Sequence, residues 1–173
     1  MNITFEKLIV PTPEIAEAFN RWENDPVLIP FIRVNPTKDD LEKREIVTSE
    51  ELVQRLERKN IYLVYEHGKL IGTMEYHVDP VLLYKKETGT AWIGINIGEE
   101  SARGKGIGAV ALKFLEEQIK AQGLRRIELG VFEFNTSAIK LYQKLGYQEI
   151  ARIDDFTFWQ GKLWQDIRME KHL

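Results

Sequence analysis

The sequence feature that most constrains this chain is Arg103-Gly104-Lys105-Gly106-Ile107-Gly108, which joins a run of β-forming residues to an amphipathic helix pattern. A helix start presents unpaired backbone N–H groups and the positive end of a dipole, and phosphate binds well there. Glycines at 104, 106 and 108 let the backbone approach a ligand closely, while Arg103 and Lys105 add positive charge. Three glycines at this point weaken a helix, so an ordinary helix start does not account for them. The run therefore reads as a phosphate grip at the junction of a strand and a helix.

Two other phosphate loops have patterns that this run meets only in part. A P-loop needs G-x-x-x-x-G-K-[ST], but Lys105 is followed by Gly106 and Gly98 sits one residue too far back. A dinucleotide fingerprint fits Gly106-Ile107-Gly108-Ala109-Val110-Ala111 in part, with Glu128 at about the expected distance. However, Glu128 falls near the start of its strand rather than the end, and residues 98–102 separate the first glycine from the preceding strand. Binding of NAD stays as a minor alternative.

The rest of the pattern supplies an α/β or α+β domain with a mixed sheet. Residues 3–10 read as a strand and 13–22 as a helix, with Ile15, Ala18, Phe19 and Trp22 at helical spacing. Residues 25–36 carry three prolines and read as loop, and 39–59 as a helical region restarted by the capping box Thr48-x-x-Glu51. Residues 61–66 and 70–78 form a hairpin around His67-Gly68-Lys69, with 91–97 as a further strand. A helix over 105–122 stops at Gly123, a strand covers 126–134, and a short helix runs from Asn135 to Gly146. A closing hairpin turns at Gln160-Gly161.

The whole chain, 1–173, is expected to form one domain. With no cysteine, it has neither a disulfide framework nor a thiolate nucleophile. A net charge of -3 gives no general drive toward nucleic acid, and the expected partners include neither nucleic acid nor membrane. No metal site is expected, and a cytoplasmic location is.

The loop R-x-x-G-x-G, Ile97-Gly98-Glu99 before it, and residues 131–135 and 138–147 after it together resemble the GNAT acetyltransferase superfamily. The resemblance is nearest to its ribosomal-protein N-terminal and spermidine acetyltransferase branch. It implies a mostly antiparallel sheet of six to seven strands, splayed to admit acetyl-coenzyme A and flanked by about four helices. It also implies that Ile95, Asn96 and Ile97 pair with the pantetheine arm and that Arg103, Gly104, Lys105, Gly106, Ile107 and Gly108 hold the pyrophosphate. Asn135 would touch the pantetheine and Tyr142 would face the thioester sulfur. The implied activity is transfer of an acetyl group to a primary amine, on a peptide N-terminus or a small polyamine-like molecule, by direct attack in a ternary complex. A homodimer is implied as well. A non-catalytic acyl-coenzyme A sensor is the alternative from another class.

Such a transfer needs an acid and a base. An alkyl amine with a pKa of about 10.4 arrives charged and must lose a proton, and a thiolate leaving group accepts one. Tyr142 lies seven residues, roughly 10 Å along a helix, beyond Asn135, on the same face. It is the candidate acid. At the two positions where members of the family carry a glutamate base, this chain has Gly130 and Trp92. Glu75 is taken as the candidate base, with His77 beside it on the same strand face. Glu128 and Glu133 are expected to be surface charges, and Trp22, Phe31, Trp159 and Trp164 either core or pocket walls.

Overall fold

The computed structural model describes residues 2–173 and contains seven strands in one sheet. In chain order the elements are β1 (Ile3–Lys7), α1 (Pro13–Glu23), α2 (Ile29–Ile32), α3 (Ser49–Leu56), β2 (Asn60–Glu66), β3 (Lys69–Val78) and β4 (Thr90–Ile97). They continue as α4 (Ile107–Ala121), β5 (Arg126–Phe132), α5 (Thr136–Lys144), β6 (Gln148–Trp159) and β7 (Lys162–His172). The strand order is β1-β2-β3-β4-β5-β7-β6, and every neighbouring pair is antiparallel except β4 and β5.

Local sequence accounts for most boundaries. The Thr12 hydroxyl accepts from the Ile15 N–H at 3.3 Å to cap α1, and the Thr48 hydroxyl accepts from Glu51 at 3.2 Å to cap α3. Both short hairpin turns, His67-Gly68 and Gln160-Gly161, have positive φ at both residues, which gives the twist that a two-residue hairpin needs. The expected helical region over 39–59 is not continuous. A 3-10 turn at Asp39–Glu42 and an extended stretch precede α3, because only residues from Thr48 onward combine a cap with an apolar stripe. The loop expected over 25–36 contains the one-turn helix α2, with Pro30 in its first turn, where a missing N–H costs nothing.

The sheet has two different faces. On one, α4 and α5 pack on Tyr62, Val64, Met74, Tyr76, Ile93, Leu129, Val131, Ile167 and Met169. On the other, α1 and α3 cover only the β2 side, through Phe19, Leu52, Ile61 and Leu63. Register then places Glu75, Trp92, Gly94, Glu128, Gly130, Asp166, Arg168 and Glu170 on this second face.

Candidate functional site

The parallel pairing of β4 with β5 lasts only from Thr90↔Arg126 to Trp92↔Glu128. Beyond Trp92 and Glu128 the two strands have no register with each other, while β4 stays paired to β3 through Ile97 and β5 to β7 through Phe132. The sheet is split at its centre. Thr90 turns its carbonyl to the Asp79 N–H on the β3 side. Backbone groups alternate along a strand, so those of Ile93, Ile95 and Ile97 point into the split. Asn96 differs from expectation here: its backbone faces β3, in register with Thr73, and its side chain lies on the second face.

At the open end of β4 lies the glycine loop. Gly104 and Gly106 have φ of 74° and 80°, and an added Cβ at either would meet nothing within 4 Å. The loop therefore needs glycine for its conformation and leaves open space above its backbone. Among the described residues, no hydrogen bond from the N–H groups of Gly104, Lys105, Gly106, Ile107 or Gly108 is satisfied by a protein acceptor, and no side chain caps α4. This is a row of donors at the positive end of a 15-residue helix. Gly108 lets Leu141 of α5 pack close, since its Cβ would sit 3.2 Å from that side chain.

Arg103 does a different job from the one expected of a free cation. Its guanidinium donates to the Ile97 carbonyl at 3.0 Å and the Gly98 carbonyl at 2.6 Å, which fixes the end of β4 against the loop. Lys105 is exposed and only loosely paired with Glu66, at 3.4 Å. Gly98 allows the Trp22 ring to wedge in beneath it, because a Cβ there would lie 2.2 Å from the indole. Trp22 is buried and donates to Glu99 at 3.0 Å. Burial works against the Glu99 carboxylate, but Arg21 and Trp22 outweigh it and hold the group below its ordinary pKa. Trp22 is therefore core.

Asn135 caps α5 by accepting from the Ala138 N–H at 3.4 Å, and its amide N–H groups have no protein acceptor among the described residues. Tyr142 is 8% exposed and packs edge-on against Tyr147, with ring centres 5.6 Å apart, in the core that also holds Ile93, Leu129 and Val131 from the lips of the split. Burial pushes its pKa up to about 12. It is a neutral phenol at any physiological pH, and its hydroxyl has no protein hydrogen-bond partner among the described residues.

On the second face, Glu75 leans over Gly94, with its Cγ 3.5 Å from where a Cβ would stand, and accepts from Lys59 at 2.6 Å. His77, two residues on, has its pKa lowered by burial and then by Lys59 and Arg58. Glu128 is not a surface charge. It is fully buried, 2.6 Å from Arg126, and accepts from the backbone N–H of Tyr84 at 2.5 Å. Glu170 joins Arg126 at 2.7 Å to Lys85 at 2.6 Å. Arg168 donates to Asp166 at 2.6 Å and to the Leu82 carbonyl at 2.8 Å. Sequence reasoning missed this set. The signal was there: Asp166, Arg168 and Glu170 recur every second residue between the apolar Ile167 and Met169, which places three charges on one face of a core strand.

Next to these charges lies an aromatic cluster. Phe31 of α2 meets Phe134 at 5.4 Å and Trp159 at 5.5 Å, and Phe134 also contacts Trp159 and Trp164. The segment after α2 is tied to β6, where Asn35 accepts from the Phe158 N–H at 2.7 Å and donates its own N–H to the Thr157 hydroxyl at 2.9 Å.

A split mixed sheet with unpaired strand edges leading to an open glycine loop at a helix start is an architecture suited to an extended, phosphate-bearing ligand. The chain belongs to the acetyltransferase (GNAT) family, whose profile matches residues 17–147. Among relatives, it is 34% identical over 97 residues to a spermine/spermidine N(1)-acetyltransferase of Bacillus subtilis, a match that covers 56% of this chain and 63%, less than two thirds, of that protein. The structure superposes on a ribosomal-protein-alanine N-acetyltransferase from Brucella melitensis with a TM-score of 0.76 at 20% identity, covering 98% of this chain and 99% of the other. A spermidine N-acetyltransferase from Vibrio cholerae, solved with CoA and spermine, gives 0.76 at 17% identity, with coverage of 98% and 95%. At these identities the two superpositions speak for the fold. No helix among the described residues is long and apolar enough to cross a membrane.

Proposed function

We propose that this protein transfers the acetyl group of acetyl-coenzyme A to the primary amine of a cationic acceptor, by direct attack in a ternary complex. The observation that carries the reading is the continuity from the inward-facing backbone of Ile93, Ile95 and Ile97 to the unsatisfied N–H row of Gly104 to Gly108. The strand edge suits the amide groups of a pantetheine arm, and the helix start suits a pyrophosphate. Lys105 supplies a cation at the same end, and the free Asn135 amide a further donor. A backbone N–H on the lip of β4 polarises the thioester carbonyl. The neutral phenol of Tyr142 gives its proton to the sulfur as the C–S bond breaks. Glu75 draws the ammonium group of the acceptor toward the split from the opposite face.

The named relatives act on polyamines and on a ribosomal-protein alanine. Both present an alkyl ammonium, and both are proposed here as acceptor classes. The cysteine-free sequence fits a cytoplasmic enzyme with no covalent acetyl-enzyme step. The test is release of coenzyme A from acetyl-coenzyme A, measured with spermidine and with an alanine-terminated peptide. Turnover with either supports the reading. Saturable binding of acetyl-coenzyme A with no transfer to either amine favours a sensor, and a thermal shift with NAD but not acetyl-coenzyme A overturns the coenzyme assignment.

A further inference from the structure

Asp166 sits at the root of the split, on the face opposite α4. β7 pairs Arg168 with Gly130 and Asp166 with Phe132, and Gly130 is the first residue of β5 on this face beyond the last parallel pair, Trp92↔Glu128. Gly130 has no side chain, and the Asp166 carboxylate occupies the space where one would be. A Cβ on Gly130 would lie 2.9 Å from Oδ2, 3.0 Å from Oδ1 and 3.0 Å from the edge of the Trp92 ring. The carboxylate thus reaches across one strand to stand beside the indole at the lip of the split.

Its two oxygens differ. Oδ2 accepts from Arg168 Nε at 2.6 Å. Oδ1 has no protein partner among the described residues, where no side-chain oxygen without one is fully buried, so Oδ1 keeps a narrow contact with solvent. The side chain is 4% exposed. Around it stand Trp92, Phe132 and Phe156, with the Arg168 guanidinium 4.9 Å from the Trp92 ring and 5.9 Å from the Phe156 ring. β6 bulges between Ile153 and Thr157, next to Asp166, and the bulge carries Phe156. Bulges beside a site re-aim a side chain in this way. A carboxylate oxygen without a protein partner at the lip of the split is the kind of acceptor an alkyl ammonium N–H uses.

We propose that Asp166 takes the proton of the acceptor ammonium and so prepares the attacking amine, a role that rests on the acetyl-transfer reading above. The N–H proton passes to Oδ1, and the freed lone pair forms the N–C bond to the thioester carbonyl. The C–S bond then breaks and the sulfur takes the Tyr142 proton. The second N–H proton of the new amide restores Tyr142, and Asp166 releases its proton to water. Arg168 holds the carboxylate through Oδ2. Glu128, 3.7 Å from Arg168 and bonded to Arg126, balances that guanidinium. Lys85 is paired with Glu170 and takes no part.

The experiment is the pH profile of kcat/KM with spermidine and with the alanine-terminated peptide for wild type, Asp166→Asn and the exchanged pair Gly130→Asp/Asp166→Ala. Loss of a positioned base costs about 100-fold or more at neutral pH. In Asp166→Asn the logarithm of kcat/KM should then climb with unit slope toward the pKa of the acceptor, about 10.4 for an alkyl amine such as spermidine and about 8 for the peptide α-amino group, while wild type levels off at lower pH. Affinity for acetyl-coenzyme A should stay within about threefold. The exchanged pair returns a carboxylate to the same space from β5 and should recover at least tenfold of the lost rate, even where Asp166→Asn folds poorly. A loss under about threefold, a loss that is the same at every pH, or an exchanged pair that folds and binds coenzyme without recovery overturns the proposal. A wild type inactive toward both amines overturns instead the transfer reading beneath it.

Discussion

At the residue scale, burial holds both Tyr142 and Asp166 toward their protonated forms. The Tyr142 phenol is kept neutral because its site disfavours the phenolate. Tyr142→Phe should lower kcat by about 100-fold or more, in the range of a lost general acid, with the KM for acetyl-coenzyme A little changed, in the same coenzyme A release assay. The sign of the alkaline effect follows from the raised pKa. The stability tied to the neutral phenol is complete below its usual pKa near 10 and is lost as pH rises to about 12. Two pKa units correspond to roughly 3 kcal/mol, so Tyr142→Phe should lose less stability than wild type in denaturant melts between pH 10 and 12. For Asp166, burial raises the carboxyl above its ordinary pKa and Arg168 only partly offsets this. A raised value brings a carboxylate nearer to the pH at which it accepts a proton usefully. The sequence placed Tyr142 by its spacing from Asn135. It said nothing of Asp166, whose importance depends on a glycine 36 positions earlier in the chain.

At the element scale, the glycines before α4 are not equivalent. Gly104 and Gly106 sit in the left-handed region with open space above them, so a side chain there strains the backbone and crowds the N–H row. Gly106→Val should raise the KM for acetyl-coenzyme A about tenfold or more, with a small loss of stability, in a comparison of kinetics and thermal melts. Gly98 lies against the indole of Trp22. Gly98→Ala should destabilise the fold by about 1–3 kcal/mol through overpacking, read as a lower midpoint in urea. Periodicity and caps announced α1, α3, α4, α5 and both hairpins. They did not announce α2 or the break before α3, where prolines and charges obscure a helical period and tertiary contacts decide. α2 carries Phe31 onto Phe134 and Trp159, and a one-turn helix holds such a position only with partners.

At the scale of the whole molecule, the second face of the sheet carries a charged layer. Arg126, Glu128, Arg168 and Glu170 fasten the β3–β4 connection to β5 and β7, through Lys85, the Tyr84 N–H and the Leu82 carbonyl. Glu128→Ala would leave Arg126 with Glu170 and Arg168 with Asp166, but would take the buried carboxylate from between them and leave the Tyr84 N–H without its acceptor. It should cost about 1–3 kcal/mol in equilibrium unfolding, whereas an exposed pair such as Glu149–Arg152 should contribute under about 1 kcal/mol. A sequence of balanced charge reads as an ordinary solvated surface. Only the strand register turns these residues inward.

By itself the sequence determined most of the elements, the glycine run at 103–108, and the spacing of Asn135 and Tyr142, because each depends on residues close together in the chain. Capping, helical period and glycine conformation are all short-range effects. The tertiary structure decided where the strands part, which backbone groups face the gap, and which carboxylate stands beside it. Those follow from the pairing of β5 with both β4 and β7, whose paired residues lie more than 30 positions away in sequence on either side. In a sheet a shift of one residue exchanges the two faces, so register assigns Asp166 to the split and Asn96 its backbone pairing with β3.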